Sequence, residues 1–285
     1  MASNIRKQLL AAAGLLVLTA CGGGGGGGGN NFTPPPPVSP PPPPPSANAN
    51  PLSAAPLGVT STTDLTTIGS LEDVRWNAQA GAYEVQIGTV AGKVAPTAAG
   101  PYAQGGDLVA ADGSKLPYTI QALTGFDYTR LGHIASIAPL EAPTYFAFGV
   151  ATPSGSVPTT GTATYDATID GRAGSWPVYG TAQFQFDFGA GKLSGYMDPH
   201  TNGPMESPAL PRYNFTNTVF SAGSTTFSGS FDVAGPTPSS FHGQFTGPQA
   251  QELMATFTAP FLDWDANEMP NTWGVMEGVI AGRRH

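Results

Sequence analysis

The stretch between Gly161 and Phe257 alternates apolar and polar residues with a period of two. The alternation is clearest in Gly180–Phe188. One phase holds Ala182, Phe184, Phe186 and Phe188, and the other holds Thr181, Gln183, Gln185 and Asp187. Because successive side chains of a β-strand point to opposite faces, this pattern places the apolar residues on one face. It predicts an antiparallel strand with one buried and one solvated side.

Eight such runs follow one another towards the C-terminus, and most are separated by short segments of turn residues. The eight predicted strands are Thr162–Ile169, Thr181–Phe188, Lys192–Met197, Tyr213–Val219, Thr225–Val233, Ser240–Thr246, Glu252–Ala259 and Trp273–Gly282. Eight consecutive antiparallel strands can cover their edges by closing into an up-and-down barrel. We therefore predict an all-β chain with a C-terminal, antiparallel eight-stranded β-barrel. A β-sandwich is the alternative.

Several motifs within these runs resemble, in order, the barrel domain of transferrin-binding protein B, which factor H binding protein and related surface lipoproteins share. They are Gly161-Thr-Ala-Thr-Tyr165, Phe186-Asp187-Phe188 with Leu193-Ser194-Gly195, Phe227-Ser228-Gly229, Phe245-Thr-Gly247-Pro248-Gln-Ala250-Gln-Glu252-Leu253, and the C-terminal Gly278–His285. One departure is Met254-Ala255, where the family usually has a pair of glycines. The resemblance implies a barrel over residues 159–285 that binds ligands through its loops without enzymatic activity.

The first 20 residues have the organisation of a bacterial lipoprotein signal peptide. Arg6 and Lys7 precede an apolar run, and Leu18-Thr-Ala-Cys21 is a lipobox. Cys21 is the only cysteine of the chain. After cleavage before Cys21, the thiol of this residue would carry a diacylglycerol and its new amino group a third acyl chain. Two or more acyl chains make a stable membrane anchor. We expect the mature protein to be held on the membrane through Cys21.

Residues 21–60 are predicted to form a disordered tether. Gly22–Gly29 is a run of eight glycines, which behaves as a flexible coil. Pro34–Pro37 and Pro40–Pro45 favour extended polyproline II. The segment holds too few apolar residues to form a core. It would hold the folded part of the chain away from the membrane.

The charge of the chain excludes one class of partner and its motifs indicate no catalysis. Without residues 1–20 the chain has nine basic and nineteen acidic residues. This negative net charge argues against nucleic acid as a binding partner. No Gly-x-Ser-x-Gly, P-loop or His-Glu-x-x-His motif is present. The four histidines are widely spaced and do not suggest a metal site. We predict neither an enzyme nor a cofactor.

Residues 61–158 are predicted to form a β-rich module before the barrel. Its predicted strands are Tyr83–Ile87, Tyr118–Leu123, Phe126–Ile134 and Thr144–Val150. Turn signals, among them Ala91-Gly92 and Gly105-Gly106, separate apolar runs. In the family that the barrel resembles, a twisted sheet called the handle precedes each barrel. The resemblance therefore implies a handle-like module here.

Two long connections, Asp198–Pro211 and Pro260–Thr272, carry the predicted binding residues. These residues are His200, Met205, Asp263, Trp264, Asp265 and Met269. Exposed aromatic side chains and methionines on loops suit adaptable recognition. Both connections follow odd-numbered strands of the barrel, so we expect them at the same end. The spacing of Asp263, Asp265 and Asn267 resembles the start of a calcium loop, but Glu268 and Gly274 do not fit the remaining positions.

Together these features predict a lipoprotein that is anchored in the outer membrane and exposed on the cell surface. The family resemblance implies that it binds a host protein, an iron carrier, haem or another solute. It also suggests a TonB-dependent receptor or a lipoprotein export factor as a further partner. The alternative is a structural or accessory envelope lipoprotein without a ligand of its own.

Overall fold

The computed structural model describes residues 63–77, 79, 82–87, 90–94, 104–110, 113, 115–121, 123–134, 143–201, 210–264 and 270–285. All regular secondary structure in these ranges is β-strand, which confirms the predicted all-β class. Within them, no helix offers the length and hydrophobicity that crossing a membrane requires. The strands form one nine-stranded antiparallel sheet followed by one closed barrel.

The nine-stranded sheet contains the N-terminal strands. They are β1 (Thr63–Asp64), β2 (Thr66–Gly69), β3 (Asp73–Asn77), β4 (Ala82–Ile87), β5 (Val90–Val94), β6 (Gln104–Ala110), β7 (Lys115–Gln121), β8 (Thr129–Ile134) and β9 (Thr144–Gly149). Their order is β1-β3-β4-β5-β6-β7-β8-β9-β2. β1 and β2 are the two edge strands of this sheet. Because only Leu65 separates them in the sequence, the two edges lie close together. The sheet therefore curls around its own apolar core.

The core of the curled sheet is rich in aromatic and branched side chains. Trp76 and Tyr83 pack with ring centroids 4.9 Å apart, and Tyr83 meets Phe148 edge to face at 5.3 Å. Val74 and Ile134 are fully buried beside them. Burial raises the pKa of Tyr83 to about 12, so its phenol stays neutral at physiological pH.

Five strands of this sheet, β1, β2, β3, β5 and β6, were not predicted from the sequence. The pairs Ala91-Gly92 and Gly105-Gly106 indicated turns, whereas they lie inside β5 and β6. Gly92 has a physical reason to be a glycine in a strand. A Cβ atom there would lie 2.6 Å from the side chain of Leu108 on the neighbouring strand. Close approach between strands, and not a turn, explains this residue.

The C-terminal strands close into the predicted eight-stranded barrel, so the sandwich alternative is wrong. They are β10 (Thr162–Ala173), β11 (Trp176–Asp187), β12 (Lys192–Thr201), β13 (Tyr213–Val219), β14 (Thr226–Phe231), β15 (Ser240–Thr246), β16 (Glu252–Trp264) and β17 (Pro270–Arg284). Each strand pairs with its neighbour in sequence, and β17 pairs with β10 to complete the ring. All eight predicted strands are present.

The predicted inward phase of the barrel is confirmed. Phe184, Phe186 and Phe188 are at most 2% exposed. Gln185, between them, is exposed. His242, predicted on the solvated face of its strand, is also exposed. The period of two therefore predicted correctly which face of these strands turns into the barrel.

The sheet and the barrel meet at a joint built around Glu252. This residue begins β16 and is 2% exposed. Its carboxylate accepts hydrogen bonds from the backbone N–H of Asp127 at 2.6 Å and of Tyr128 at 3.0 Å. The hydroxyls of Thr129 and Thr246 share a buried hydrogen bond of 2.6 Å. A turn of the first module is thus fastened to the barrel.

The same joint explains the Gly247–Glu252 part of the family-like motif. Gly247 has φ of 75°, and a Cβ atom there would lie 2.5 Å from the ring of Tyr128. Ala250 is fully buried with φ of 56°, and its carbonyl accepts a hydrogen bond from the Tyr165 hydroxyl at 2.5 Å. The motif is therefore a structural feature that holds the two parts of the chain together.

Candidate functional site

One end of the barrel gathers the connections that follow its odd-numbered strands. In an antiparallel ring the chain turns alternately at the two ends, so β10–β11, β12–β13, β14–β15 and β16–β17 connect at the same end. A Cβ atom at Gly235, in the β14–β15 connection, would lie 2.5 Å from Pro260 and 3.3 Å from the Trp273 ring. A Cβ atom at Gly174 would lie 3.8 Å from Phe261. The described connections therefore share one rim, as predicted.

Below this rim, aromatic side chains fill the lumen. The ring centroid of Phe186 lies 4.8 Å from that of Phe245, 5.0 Å from that of Phe220 and 5.2 Å from that of Phe227. Near the rim, the Tyr213 hydroxyl donates to the Pro260 carbonyl at 3.2 Å. Burial raises the pKa of Tyr213 to about 12 and keeps it neutral. The barrel interior is therefore a packed core of side chains.

Four large apolar side chains are exposed around this end of the barrel. Trp273 is 49% exposed, Tyr179 42%, Val275 39% and Trp176 38%. They are four of the five exposed large apolar side chains in the described part of the chain. We call these four residues the aromatic rim. Large apolar side chains that cluster at one end of a domain indicate an interaction surface.

The local sequence explains why Trp273, Val275 and Tyr179 face outwards. Trp176 instead belongs to the even-numbered, apolar phase of β11 and is exposed at the first position of the strand. On β17, Met276 and Ile280 point into the core, which turns the odd-numbered residues Trp273 and Val275 to the outer face. On β11 the odd-numbered residues form the polar phase, and Tyr179 belongs to it. A large apolar residue in the polar phase of a strand is the signal that could have identified these positions.

The charged side chains on the neighbouring strands are paired with one another. Arg172 on β10 binds Glu277 on β17 at 2.6 Å. Arg212 donates two hydrogen bonds to Asp198, of 2.8 and 2.6 Å, and its guanidinium lies 3.9 Å from the centre of the Tyr196 ring. These pairs add little net charge beside the aromatic rim. Such a surface suits a protein partner better than a highly charged ligand.

The structure corrects the predicted position of His200. We expected it in a loop, but β12 extends to Thr201 because its last residues pair with β11. The ring of His200 stacks on that of Tyr179, with centroids 6.1 Å apart, and its Nδ1 lies 3.1 Å from the Asp198 carbonyl. His200 is therefore next to the aromatic rim but held on a strand.

The second predicted loop is also shorter than expected. Asp263 and Trp264 belong to β16, and β17 begins at Pro270, so the connection spans residues 265–269. The ladder between β16 and β17 continues past Pro260, which the sequence had indicated as a strand end. Met205, Asp265 and Met269 lie outside the described residues, as does Cys21.

One titratable cluster lies where the first sheet meets the barrel. His133 Nδ1 is 3.4 Å from Asp170 Oδ2, and the ring of His133 lies 5.7 Å from that of Tyr145. Burial raises the pKa of Tyr145 to about 12. In the ranges that the structure describes, no three His, Cys, Asp or Glu side chains come together as metal ligands. This cluster is one hydrogen-bonded pair beside a tyrosine.

No protein-family profile and no curated protein matches this sequence. Its structure is similar to solved structures of transferrin-binding protein B. A double mutant from Haemophilus parasuis Hp5 has 17% identity and a TM-score of 0.49, over 78% of this chain and 45% of that chain. The isotype 1 protein from serogroup B Neisseria meningitidis has 17% identity and a TM-score of 0.45, over 78% of this chain and 44% of that one.

Intact Ap-TbpB, with its N and C lobes, has 14% identity and a TM-score of 0.47, over 78% of this chain and 46% of that one. This chain therefore spans less than half the length of these structures. A structure described as a surface lipoprotein has 14% identity and a TM-score of 0.37, over 58% of this chain and 79% of that one. At these identities the likeness concerns the fold alone.

Proposed function

We propose that this protein is a lipoprotein of the bacterial outer membrane that binds a host protein at the aromatic rim without chemical catalysis. The observation that carries the proposal is the contrast between a lumen filled by aromatic rings and an outer surface with exposed apolar side chains. The rings of Phe186 and its neighbours fill the barrel interior, whereas the side chain of Trp273 at the rim is 49% exposed. A solute such as haem or an iron carrier would also have to bind on the outer surface.

The chemistry of the aromatic rim supports a protein partner over a small molecule. Trp and Tyr are enriched among the residues that contribute most to protein interfaces. Trp273 and Val275 lie on the same face of β17, and the Arg172–Glu277 ion pair lies beside them. An apolar centre with a polar border is the arrangement found in protein interfaces. A TonB-dependent receptor or a lipoprotein export factor as partner stays a prediction.

We expect Trp273→Ala to weaken partner binding about 30-fold or more, because truncating a central interface tryptophan costs about 2 kcal/mol or more. The partner is first captured from serum on the immobilised full chain, and its affinity is then measured by surface plasmon resonance. Gln185→Ala, on the outer face away from the rim, serves as the control. Equal affinities of the Trp273→Ala and Gln185→Ala variants would contradict a binding role of the rim.

A second variant tests the connection between β16 and β17. Because Asp263 and Trp264 belong to β16, only residues 265–269 are replaced, by a Gly-Ser linker of equal length. We expect weaker partner binding with a melting temperature close to that of the wild type. A variant that binds at full strength would exclude this connection from the site. Failure to capture any partner would favour the alternative, a structural envelope lipoprotein.

The proposed anchor is tested separately from partner binding. We expect Cys21→Ser to block lipidation and processing, because the thiol is the site of acyl attachment in a lipobox. Fractionation of cells should then show an unprocessed chain that is absent from the outer membrane. Recovery of the variant in the outer-membrane fraction at the mature mobility would contradict the anchor.

A further inference from the structure

A cleft of about 350 Å³ opens on the outer face of the barrel, at the end opposite the aromatic rim. This volume lies at the lower end of the range for small-molecule sites. The lining includes Val219, Ser221, Thr226, Ser228, His242 and Gly243. The cleft spans the last residue of β13, the start of β14 and the facing part of β15.

A β-bulge in β13 forms one wall of the cleft. Thr216 faces Ser230 and Val219 faces Ser228, so β13 has one more residue than β14 over this interval. Asn217, in the bulge, has φ of 46°. Its side-chain amide donates to the Ser230 hydroxyl at 2.9 Å. The bulge turns Val219 to solvent, and a bulge that redirects a side chain is often found beside a functional site.

Val219 is the most exposed large apolar residue in the described part of the chain, at 64%. It faces Ser228 on β14, and Ser228 faces His242 on β15. Side chains directly opposite on neighbouring strands lie about 5 Å apart. One methyl-bearing side chain, one hydroxyl and one imidazole therefore form a row across three strands.

The polar groups in this row are available to a ligand. The Ser228 hydroxyl and the His242 ring make no hydrogen bond to another residue that the structure describes. The neighbouring turn is held by its own bonds, since the Ser224 hydroxyl donates to the Thr226 carbonyl at 2.7 Å and accepts from the Thr226 N–H at 3.2 Å. No Asp, Glu, Lys or Arg lines the cleft.

We propose that this cleft binds one neutral sugar unit. A pyranose ring has an apolar C–H face, which Val219 can contact, and hydroxyls that can both donate and accept. The Ser228 hydroxyl can do the same, and the His242 ring offers a donor and an acceptor when neutral. A permanently charged ligand would find no counter-charge among the lining residues. The site is separate from the proposed rim, so either can fail without the other.

The test uses the full chain in detergent and saturation-transfer difference NMR. The probes are glucose, galactose, N-acetylglucosamine and, as a charged comparison, glucuronate. We expect transfer to at least one neutral sugar with millimolar affinity. The Ser228→Ala/His242→Ala double variant should weaken it about tenfold, as expected for the loss of two hydrogen bonds. Ser194→Ala, an exposed serine on β12, is the matched control and should bind like the wild type.

Several results would overturn the proposal. Transfer to none of the neutral sugars would do so, as would transfer to glucuronate alone. Equal affinities of the double variant and the Ser194→Ala variant would place any bound sugar elsewhere. The sugar unit could belong to a polysaccharide or to a glycoprotein. Capture of the protein on an immobilised neutral polysaccharide, and on an immobilised glycoprotein with neutral terminal sugars, distinguishes these two sources. Capture on either that the double variant loses supports the proposal, and capture that the double variant retains contradicts it.

Discussion

Replacing Phe186 with alanine is expected to lower the free energy of unfolding by about 3–5 kcal/mol, the usual cost of truncating a buried aromatic side chain. Phe186 is 2% exposed and points into the lumen. Its ring meets those of Phe245, Phe220 and Phe227 at centroid distances of 4.8 to 5.2 Å. Because the barrel is closed, its strands can move inwards only slightly, and most of the cavity would remain. Chemical denaturation of the full chain measures the loss.

Gln185→Ala is the matched control, one residue away on the same strand. Its side chain is exposed, and its amide N–H donates to the Gln183 side chain at 2.8 Å on the same face. We expect a change within about 0.5 kcal/mol, as for most surface substitutions. Similar losses in the two variants would mean that the inward phase of β11 is shifted by one residue.

Replacing Glu252 with alanine is expected to cost about 2–4 kcal/mol. The substitution would leave the part-buried N–H groups of Asp127 and Tyr128 without the carboxylate oxygens that now accept their hydrogen bonds. Each donor that loses its partner away from water costs about 1–3 kcal/mol. We also expect faster amide hydrogen exchange in residues 123–130, because this turn would lose its attachment to the barrel.

Glu277→Ala provides the comparison for an exposed carboxylate. Glu277 binds Arg172 at 2.6 Å, but its side chain is 43% exposed. Exposed ion pairs contribute about 0–1 kcal/mol, so the variant should be nearly as stable as the wild type. If Glu252→Ala costs no more than Glu277→Ala, Glu252 does not fasten the joint.

The joint also predicts an unusual dependence on pH. Burial raises the pKa of Glu252 in the folded protein above its ordinary value of 4.5, although the backbone N–H of Asp127 acts in the opposite direction. A raised folded-state pKa contributes stability that is fully present below the unfolded pKa and is lost as the pH rises through the folded value. The difference in stability between the wild type and Glu252→Ala should therefore be larger at about pH 4.5 than at about pH 7. A stability difference that is larger at about pH 7 than at about pH 4.5 would contradict this prediction.

The barrel could be predicted because its information is local. In β11 the alternation places Phe184, Phe186 and Phe188 on one face, whichever strand lies beside it. The short turn at Gly189-Ala190-Gly191 then brings β12 alongside β11, and a sequence of such hairpins leads towards closure. The strand count and the inward phase follow from patterns that span about ten residues each.

The candidate site was predicted less well, because its residues depend on where strands end. Trp264 and His200 lie among Pro and Asp residues, which indicate loops when read alone. Pairing with β17 and β11 extends both strands beyond these signals. The exposed position of Tyr179 follows from a similar extension, since β11 begins at Trp176 and not at the predicted Thr181. Val275 lies within the predicted strand Trp273–Gly282, and its outward phase could be read from the sequence.

The sequence by itself determined the all-β class, the eight strands of the barrel and which phenylalanines enter its lumen, since a period of two specifies the face of each residue. Only the tertiary structure decided how the first sheet curls and how it joins the barrel. Glu252 finds its partners 124 and 125 residues away along the chain, so no local pattern could indicate that its carboxylate is buried. Likewise, Trp176 and Trp273 are almost a hundred positions apart and reach one rim only because β17 pairs with β10 and closes the ring.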